Sequence, residues 1–160
     1  SALSTWGYTQ TTHQVVPDDP KAVAARLRRL AGKHEVIILS GGVSVGKYDF
    51  VPEALAKVGA RVHFHGVAIR PGKPLLYATL SNNRHIFGLP GNPLSVMTGF
   101  FEFVLPALRR MSGFDSELCQ PSLRLPLAGE VDSRLNLVRF VLARLIWSKK
   151  EQKLLEIKMT

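Results

Sequence analysis

The residues best suited to bind a ligand form a loop rich in glycine and serine, residues 40–49. An apolar, β-branched run at residues 36–39 precedes it and is typical of a strand buried on both faces. A helical pattern follows from about Phe50. Glycine lets the backbone approach a ligand closely, and N–H groups at a strand-to-helix junction attract anions. The pattern predicts an anion-binding loop; the alternative is an ordinary strand-to-helix turn in which Asp49 is only a helix cap.

Two shorter motifs further along the chain favour the binding interpretation. Residues 70–74 read Arg-Pro-Gly-Lys-Pro, a rigid turn with a cation on either side of Pro-Gly. Residues 88–95 read Gly-Leu-Pro-Gly-Asn-Pro-Leu-Ser and join a predicted strand to a predicted helix. Charged donors such as Arg70 and Lys73 make strong hydrogen bonds to phosphate-like anions. The simpler alternatives are that Arg70 is a solvated strand end and that the prolines only shape their turn.

The charge of the chain favours a small anionic ligand over nucleic acid. The 160 residues carry a formal net charge of +9, and no Asp or Glu occurs between residues 54 and 101. Apolar segments and Gly/Pro loops separate the basic side chains of that span, whereas nucleic-acid binders cluster them with exposed aromatic residues. We therefore expect a small anionic partner and no nucleic acid.

The cysteine content and the absence of long apolar runs predict a soluble, cytoplasmic protein. The single cysteine, Cys119, cannot form an internal disulfide and is typical of a reducing compartment. No apolar run approaches the length of a membrane span, about 18 residues or more. The first residues lack the charged-then-apolar pattern of a signal peptide.

The order of the predicted elements is typical of an α/β fold, with three α/β/α layers over residues 1–113. Asp18 or Asp19 can cap a helix whose first turn contains Pro20. We expect the strands that begin at Val36 and His85 to lie at the centre of the sheet. The predicted elements are a helix end at 1–7, a strand at 9–16, a helix at 20–31, a strand at 35–39, a helix at 50–58, a strand at 61–69, a hairpin at 75–89 and a helix at 94–111 that Pro106 kinks.

After Asp115 the pattern changes to strands joined by polar turns, at residues 121–131, 137–146 and 154–159. Three strands are too few to close a barrel or a sandwich. We therefore expect a partial C-terminal β domain over residues 121–160. An opening strand, the first element of an α/β unit, is also missing from the start of the sequence. We therefore expect the sequence to be a fragment of a longer protein.

His63 and His65 are a second, less favoured candidate site. They lie two residues apart in a predicted strand and would share one of its faces. That spacing can hold a metal ion, but no third ligand is evident in the sequence.

Taken together and in this order, the three motifs closely resemble the molybdopterin molybdenumtransferase family, which includes MoeA and the E domain of gephyrin. The resemblance covers residues from about 15 to 113. It implies a molybdopterin-binding α/β/α domain followed by a C-terminal β-barrel. It also implies a cytoplasmic homodimer that inserts molybdate into adenylated molybdopterin, with Mg²⁺, and releases AMP.

The resemblance assigns roles to individual residues. The residues that match the loop for the pterin-phosphate end are Ser40, Gly41, Gly42, Ser44 and Gly46. Those that match the second binding loop are Pro90, Gly91, Asn92, Pro93 and Ser95. Asp49 matches the acidic residue after the first loop and is the candidate metal ligand, while Arg70 and Lys73 match the cationic turn. With Asp49, these two cations are the candidate catalytic residues.

Departures from the family pattern leave alternatives open. Lys47 stands where the family often has an acidic residue, and the family's long N-terminal region has no counterpart here. We therefore expect the chain alone to bind without turnover, and a non-catalytic molybdopterin-binding module for sensing, scaffolding or delivery is the alternative. A molybdopterin adenylyltransferase is less favoured, because that family's loop tends to read Thr-Gly-Gly-Thr-Gly. Gly42→Val is expected to block ligand approach and leave the fold intact.

Overall fold

The computed structural model describes residues 2–43, 50–119, 127–128, 136–148 and 153–159. In chain order the first elements are α1 (Ala2–Thr5), α2 (Pro20–Ala31), β1 (Val36–Ser40), α3 (Phe50–Lys57), β2 (Arg61–His65), β3 (Ile69–Arg70), β4 (Leu76–Leu80), a 3-10 turn (Ser81–Asn83) and β5 (Arg84–Leu89). They are followed by α4 (Pro93–Gly99), a π-helical segment (Phe100–Val104), α5 (Leu105–Met111), α6 (Ser116–Cys119), β6 (Leu127–Ala128), β7 (Val138–Arg139), β8 (Ala143–Ser148) and β9 (Lys153–Met159).

A mixed sheet with the strand order β1-β5-β4-β2 forms the middle layer. β1 and β5 are parallel, whereas β5 with β4 and β4 with β2 are antiparallel. β4 and β5 make the predicted hairpin, which is therefore confirmed. Its 3-10 turn includes Asn83 with a left-handed φ of 60°, a conformation that asparagine tolerates better than most residues.

Alternating residues give the sheet two apolar faces. Leu76, Ala78 and Ile86 belong to a buried cluster with side chains of α2 and α3. Phe87 and Leu89 belong to a second cluster with side chains of the π-helical segment and α5. Burying a side chain the size of leucine contributes about 1.5–3 kcal/mol, so both clusters hold helices against the sheet. The predicted three-layer α/β/α arrangement is confirmed.

β1 lies at an edge of the sheet, so the prediction that it is central is wrong, whereas β5 is central as expected. In the part of the chain that is described, β1 pairs with β5 alone. Its other edge borders an apolar cavity of about 470 Å³ that α2, the start of the chain and Phe100 also line. Residues 10–14 line the same cavity without forming the predicted strand. In the described part of the chain, residues 10–14 form no strand that could pair with β1, so β1 is an edge strand.

The long helix after β5 changes its geometry beside Pro106. The Leu105 N–H donates to the Phe100 carbonyl oxygen five residues earlier, which makes this turn a π-helix. Pro106 has no N–H, and its ring crowds the carbonyl four residues before it in an α-helix. A wider turn relieves that crowding. The predicted disturbance by Pro106 therefore takes the form of a π-helical segment between α4 and α5.

The described strands beyond α6 form two further pairings. β6, β9 and β8 make a three-stranded sheet, and β7 pairs in parallel with β3. In the second pairing the Val138 N–H donates to the Ala68 carbonyl oxygen at 2.9 Å, and the Phe140 N–H to the Arg70 carbonyl oxygen at 2.9 Å. The domain limits at residues 113 and 121 stay predictions. None of the described helices is both long enough and apolar enough to cross a membrane.

Candidate functional site

The first and third motifs leave the sheet side by side. β1 and β5 are parallel neighbours, and Ser40 is paired with Leu89 at their carboxyl ends. The chain that follows each strand therefore starts at the carboxyl ends of the two strands, which is where open α/β sheets bind ligands. We call residues 41–43 the first glycine loop and residues 90–92 the second glycine loop.

The first glycine loop is tied to the elements around it. The Gly41 N–H donates to the Leu89 carbonyl oxygen at 3.0 Å, and the Val51 N–H donates to the Gly42 carbonyl oxygen at 3.3 Å. Gly42 has a φ of +67°, and a Cβ there would lie 2.2 Å from Cζ of Phe50. Only glycine fits this position, because any side chain would be strained and would overlap the Phe50 ring.

Val43 anchors the same loop in the core. Its side chain is fully buried, and a Cβ on Gly88 would lie 2.7 Å from its Cγ1 atom. Gly88 thus leaves the space that Val43 fills. The Val43 carbonyl oxygen accepts a hydrogen bond from Nε2 of the half-buried His65 at 2.9 Å. Neither Val43 nor His65 was predicted to belong to this site.

The second glycine loop is shaped mainly by its own residues. Pro90 is buried, whereas Gly91 and Asn92 are exposed. The Asn92 side-chain oxygen accepts hydrogen bonds from the N–H groups of Leu94 at 3.0 Å and Ser95 at 3.3 Å. Asn92 is therefore the N-cap of α4, and Pro93 occupies the first turn. A Cβ on Gly91 would lie 3.7 Å from Cα of Gly41, so the two loops are in contact.

The cationic turn lies against the start of α4. Gly72 is buried with a φ of +111°, and a Cβ there would lie 3.8 Å from the backbone oxygen of Ser95. The Arg70–Pro71 peptide bond is cis. The side chains of Arg70 and Lys73 are exposed. Neither forms an ion pair with another described residue, whereas Lys57 and Glu53 on α3 do pair with each other. The three motifs thus lie together at the carboxyl ends of β1 and β5.

Part of the predicted site is not described. Ser40 is exposed at the end of β1, and Gly41 and Gly42 are half-buried next to it. Ser95 is buried at the start of α4. Ser44, Gly46, Lys47 and Asp49 lie outside the described residues. The structure therefore brings Ser40, Gly41 and Gly42 together with the second glycine loop and the cationic turn.

His63 and His65 do not share a face of β2, which corrects the prediction. The pairing of β2 with β4 shifts between Val62 and Phe64, so an extra residue bulges there. His63 Nε2 lies 2.8 Å from Oγ1 of Thr79, and its ring stacks on Tyr77, whereas His65 reaches Val43. No group of three or more His, Cys, Asp or Glu side chains that could hold a metal ion occurs among the described residues.

A polar pair lies away from the loops, on the face of the sheet toward α5. The Tyr77 hydroxyl lies 2.8 Å from Nδ1 of His85, and the Tyr77 ring also contacts Phe64 and Phe87. Burial raises the pKa of Tyr77 above its ordinary value of 10.0. Tyr77 is therefore a neutral hydroxyl at physiological pH.

The fold and the contacting loops define an α/β ligand-binding domain. A family model described as a probable molybdopterin binding domain matches residues 1–110. The match spans more than half of the 160 residues, so the chain belongs to this family of molybdopterin-binding domains.

Curated relatives agree with the resemblance of the three motifs, which is confirmed. The chain is 42% identical over 101 residues to a molybdopterin molybdenumtransferase from Nostoc sp., an alignment that covers 62% of this chain and 23% of that protein. It is 38% identical over 127 residues to gephyrin from Dictyostelium discoideum, covering 70% of this chain and 18% of gephyrin. The chain thus spans about a fifth of the length of these relatives.

Solved structures support the same assignment. The molybdopterin biosynthesis MoeA protein from Pyrococcus horikosii superposes with a TM-score of 0.53 at 32% identity, covering 60% of this chain and 23% of that one. A molybdenum cofactor biosynthesis protein from Pyrococcus furiosus superposes with a TM-score of 0.64 at 22% identity, covering 99% of this chain and 49% of that one. The second similarity supports the fold alone.

Proposed function

We propose that this chain supplies the molybdopterin-binding site of a molybdenum cofactor biosynthesis protein. In that protein molybdate is inserted into adenylated molybdopterin and AMP is released. The observation that carries the proposal is the contact between the two glycine loops, where a Cβ on Gly91 would lie 3.7 Å from Cα of Gly41. The family match and the relatives named molybdopterin molybdenumtransferase support this choice of ligand.

The loops would hold the pterin-phosphate end through backbone donors. The N–H groups of Gly42 and Gly91 donate no hydrogen bond to another described residue. Glycine leaves such groups open to phosphate oxygens, which are strong acceptors. Ser40 at the end of β1 offers a hydroxyl beside them. Ser44 and Gly46, which continue the first motif, belong to the proposed binding residues on the strength of the family resemblance.

Arg70 and Lys73 would supply positive charge next to these donors. Gly72 between them packs against the start of α4, where a Cβ on it would lie 3.8 Å from the backbone oxygen of Ser95, so the turn is fixed there. No carboxylate occurs between residues 54 and 101 to neutralise the two cations. Fixed charges at the mouth of a site stabilise charge on phosphate and molybdate oxygens at little reorganisation cost.

Magnesium enters the proposal only through Asp49. Mg²⁺ is bound by carboxylates together with phosphate oxygens and water. The described residues contain no group of three or more His, Cys, Asp or Glu side chains that could hold a metal ion, so this part of the site does not fit a magnesium centre by itself. Asp49 is the carboxylate whose replacement by asparagine tests metal dependence, and no step of the proposal runs through the ion.

Titration of molybdopterin into this chain under anaerobic, reducing conditions tests the proposal. Gly91→Val puts a branched side chain at the contact between the loops without a strained φ, so binding should fall at least tenfold. Gly32→Val is the matched control, because Gly32 ends α2 with a φ of −73° and is exposed. Unchanged affinity in Gly91→Val, with the fold intact, would mean that the ligand does not lie across the loops.

A non-catalytic binding module is the second candidate function. The observation that favours it is that the described loops and turn offer backbone donors and cations but no carboxylate for metal binding or acid–base work. We expect this chain to bind adenylated molybdopterin without releasing AMP when molybdate and Mg²⁺ are added. AMP formation by the 160-residue chain would favour the complete enzyme instead.

The homodimer and the cytoplasmic location that the family resemblance implies are further parts of the proposal. Light scattering after size-exclusion chromatography, applied to this chain and to a full-length relative, measures the first. Fractionation of cells that express the protein measures the second.

A further inference from the structure

We propose that His65 is a positioning residue that fixes the first glycine loop for ligand binding, an inference that rests on the proposed function. Among the described residues, three hydrogen bonds hold this loop, and each comes from a different element. β5 accepts the hydrogen bond from the Gly41 N–H, and α3 donates one to the Gly42 carbonyl oxygen. The third contact is the bond from Nε2 of His65, on β2, to the Val43 carbonyl oxygen at 2.9 Å.

The third contact differs from the other two because a side chain makes it. The bonds at Gly41 and Gly42 join backbone groups on both sides, so no side chain takes part in them. The bond to Val43 exists only while residue 65 carries a donor of the right length. The orientation of the Val43 peptide group, and with it the end of the first glycine loop, thus depends on one histidine.

The bulge in β2 aims His65 at the loop. Val62 pairs with Ala78 and Phe64 pairs with Tyr77, so His63 is the extra residue between two steps of the ladder. Bulges often redirect side chains in this way. His63 consequently stacks on Tyr77, while His65 reaches the cluster on the other face, to which Val43 belongs.

The bond also fixes the form of the imidazole. A carbonyl oxygen only accepts hydrogen bonds, so Nε2 of His65 must carry a hydrogen. The neutral ring is then the Nε2–H tautomer, and the protonated ring keeps the same bond. NMR correlation of the ring nitrogens of His65 with its ring protons reads out this tautomer directly in the unmodified chain.

Two substitutions separate positioning from simple loss of a histidine. His65→Gln places an amide N–H near the position of Nε2, whereas the shorter side chain of His65→Asn does not reach it. We expect His65→Asn to weaken molybdopterin binding about threefold to tenfold, the range for loss of one net hydrogen bond. His65→Gln should restore most of the affinity. Hydrogen exchange of the Val51 amide, which bonds to Gly42, should quicken in His65→Asn and not in His65→Gln.

His63→Asn and His63→Gln are the matched controls, because His63 lies two residues away and bonds to Thr79 instead. Both should bind molybdopterin as the unmodified chain does. Equal affinity for His65→Asn and the unmodified chain, or failure of His65→Gln to restore binding, would overturn the inference. An Nδ1–H tautomer at His65 would overturn it as well. If the unmodified chain binds no molybdopterin, the proposed function fails, while the tautomer and hydrogen exchange still decide whether His65 fixes the loop.

Discussion

The two glycine loops lie in contact, yet they are held in place by different means. The first is fixed from outside, by β5, by α3 and by His65 on β2. The second is fixed from within, because Asn92 caps the helix that follows, Pro90 begins the loop and Pro93 comes directly after it. The first loop therefore depends on residues far away in the sequence, and the second on residues within it.

The same difference decides which glycines accept a side chain. Gly42 has a left-handed φ and faces the Phe50 ring, whereas Gly91 has neither constraint. A substitution in the first loop should thus affect folding and binding together. A substitution of Gly91 in the second loop should affect binding with little change in stability.

Gly42→Val should give the largest effect. The new Cβ would lie 2.2 Å from Cζ of Phe50 on a backbone with a φ of +67°. Overpacking and φ strain together should lower the free energy of unfolding by about 2–5 kcal/mol. The expectation that this variant leaves the fold intact is therefore withdrawn. Urea unfolding checks the magnitude.

Gly91→Val is the comparison variant, with an expected stability change of less than about 0.5 kcal/mol. Equal unfolding midpoints for Gly42→Val and Gly91→Val would contradict the distinction between the two loops.

Lys73→Ala should weaken molybdopterin binding about tenfold to hundredfold, because a charge-assisted hydrogen bond contributes about 1.5–3 kcal/mol. Salt screens part of this attraction, so the difference between the variant and the unmodified chain should shrink as ionic strength rises. Titrations at low and high salt measure both effects.

Arg70→Ala sharpens this prediction. A neighbouring carboxylate would occupy the guanidinium of Arg70 and reduce the effect, but no such pair occurs among the described residues. We now expect a loss comparable to that of Lys73→Ala. Unchanged affinity in both variants at low salt would make the cationic turn purely structural.

Asn92→Ala should lower the free energy of unfolding by about 1 kcal/mol, the usual cost of a lost N-cap. The Leu94 and Ser95 N–H groups lose the oxygen that now accepts from them at 3.0 and 3.3 Å. Asn92→Asp keeps that acceptor and should retain most of the stability. A thermal unfolding series compares the three proteins. If alanine and aspartate behave alike, the second loop is not held by its cap.

The contact between the two loops could be predicted from the sequence, because each motif follows an apolar strand and the carboxyl ends of parallel strands lie side by side. The cap at Asn92 is also local, since it needs only Asn-Pro before a helix. The role of His65 could not be predicted. It depends on a one-residue bulge in the pairing of β2 with β4, and sequence periodicity does not record such a shift.

The edge position of β1 has a similar explanation. Residues 36–39 are apolar on both faces, which is typical of a central strand. In the described residues helices cover both faces of β1, so its apolar side chains are half-buried or buried although one backbone edge is unpaired. Hydrophobicity reports burial of side chains and not the number of neighbouring strands.

Tyr77→Phe is the reference variant for both loops and should have the smallest effect on molybdopterin binding. Tyr77 contacts side chains of β2 and β5 and bonds to His85 at 2.8 Å. Losing that hydrogen bond should cost about 0.5–1 kcal/mol at neutral pH, and molybdopterin affinity should not change.

The pH dependence of stability tests whether burial of this hydroxyl affects its ionisation. Burial raises the pKa of Tyr77 above 10.0 in the folded protein, so the folded state holds the phenol proton more tightly than the unfolded state does. The stability that results is fully present below pH 10 and is lost as the pH rises through the folded-state pKa. Tyr77→Phe should therefore lose less stability than the unmodified chain at higher pH. Parallel curves for the two proteins in urea unfolding from pH 8 to 11 would show that Tyr77 ionises as freely in the folded protein as in the unfolded one.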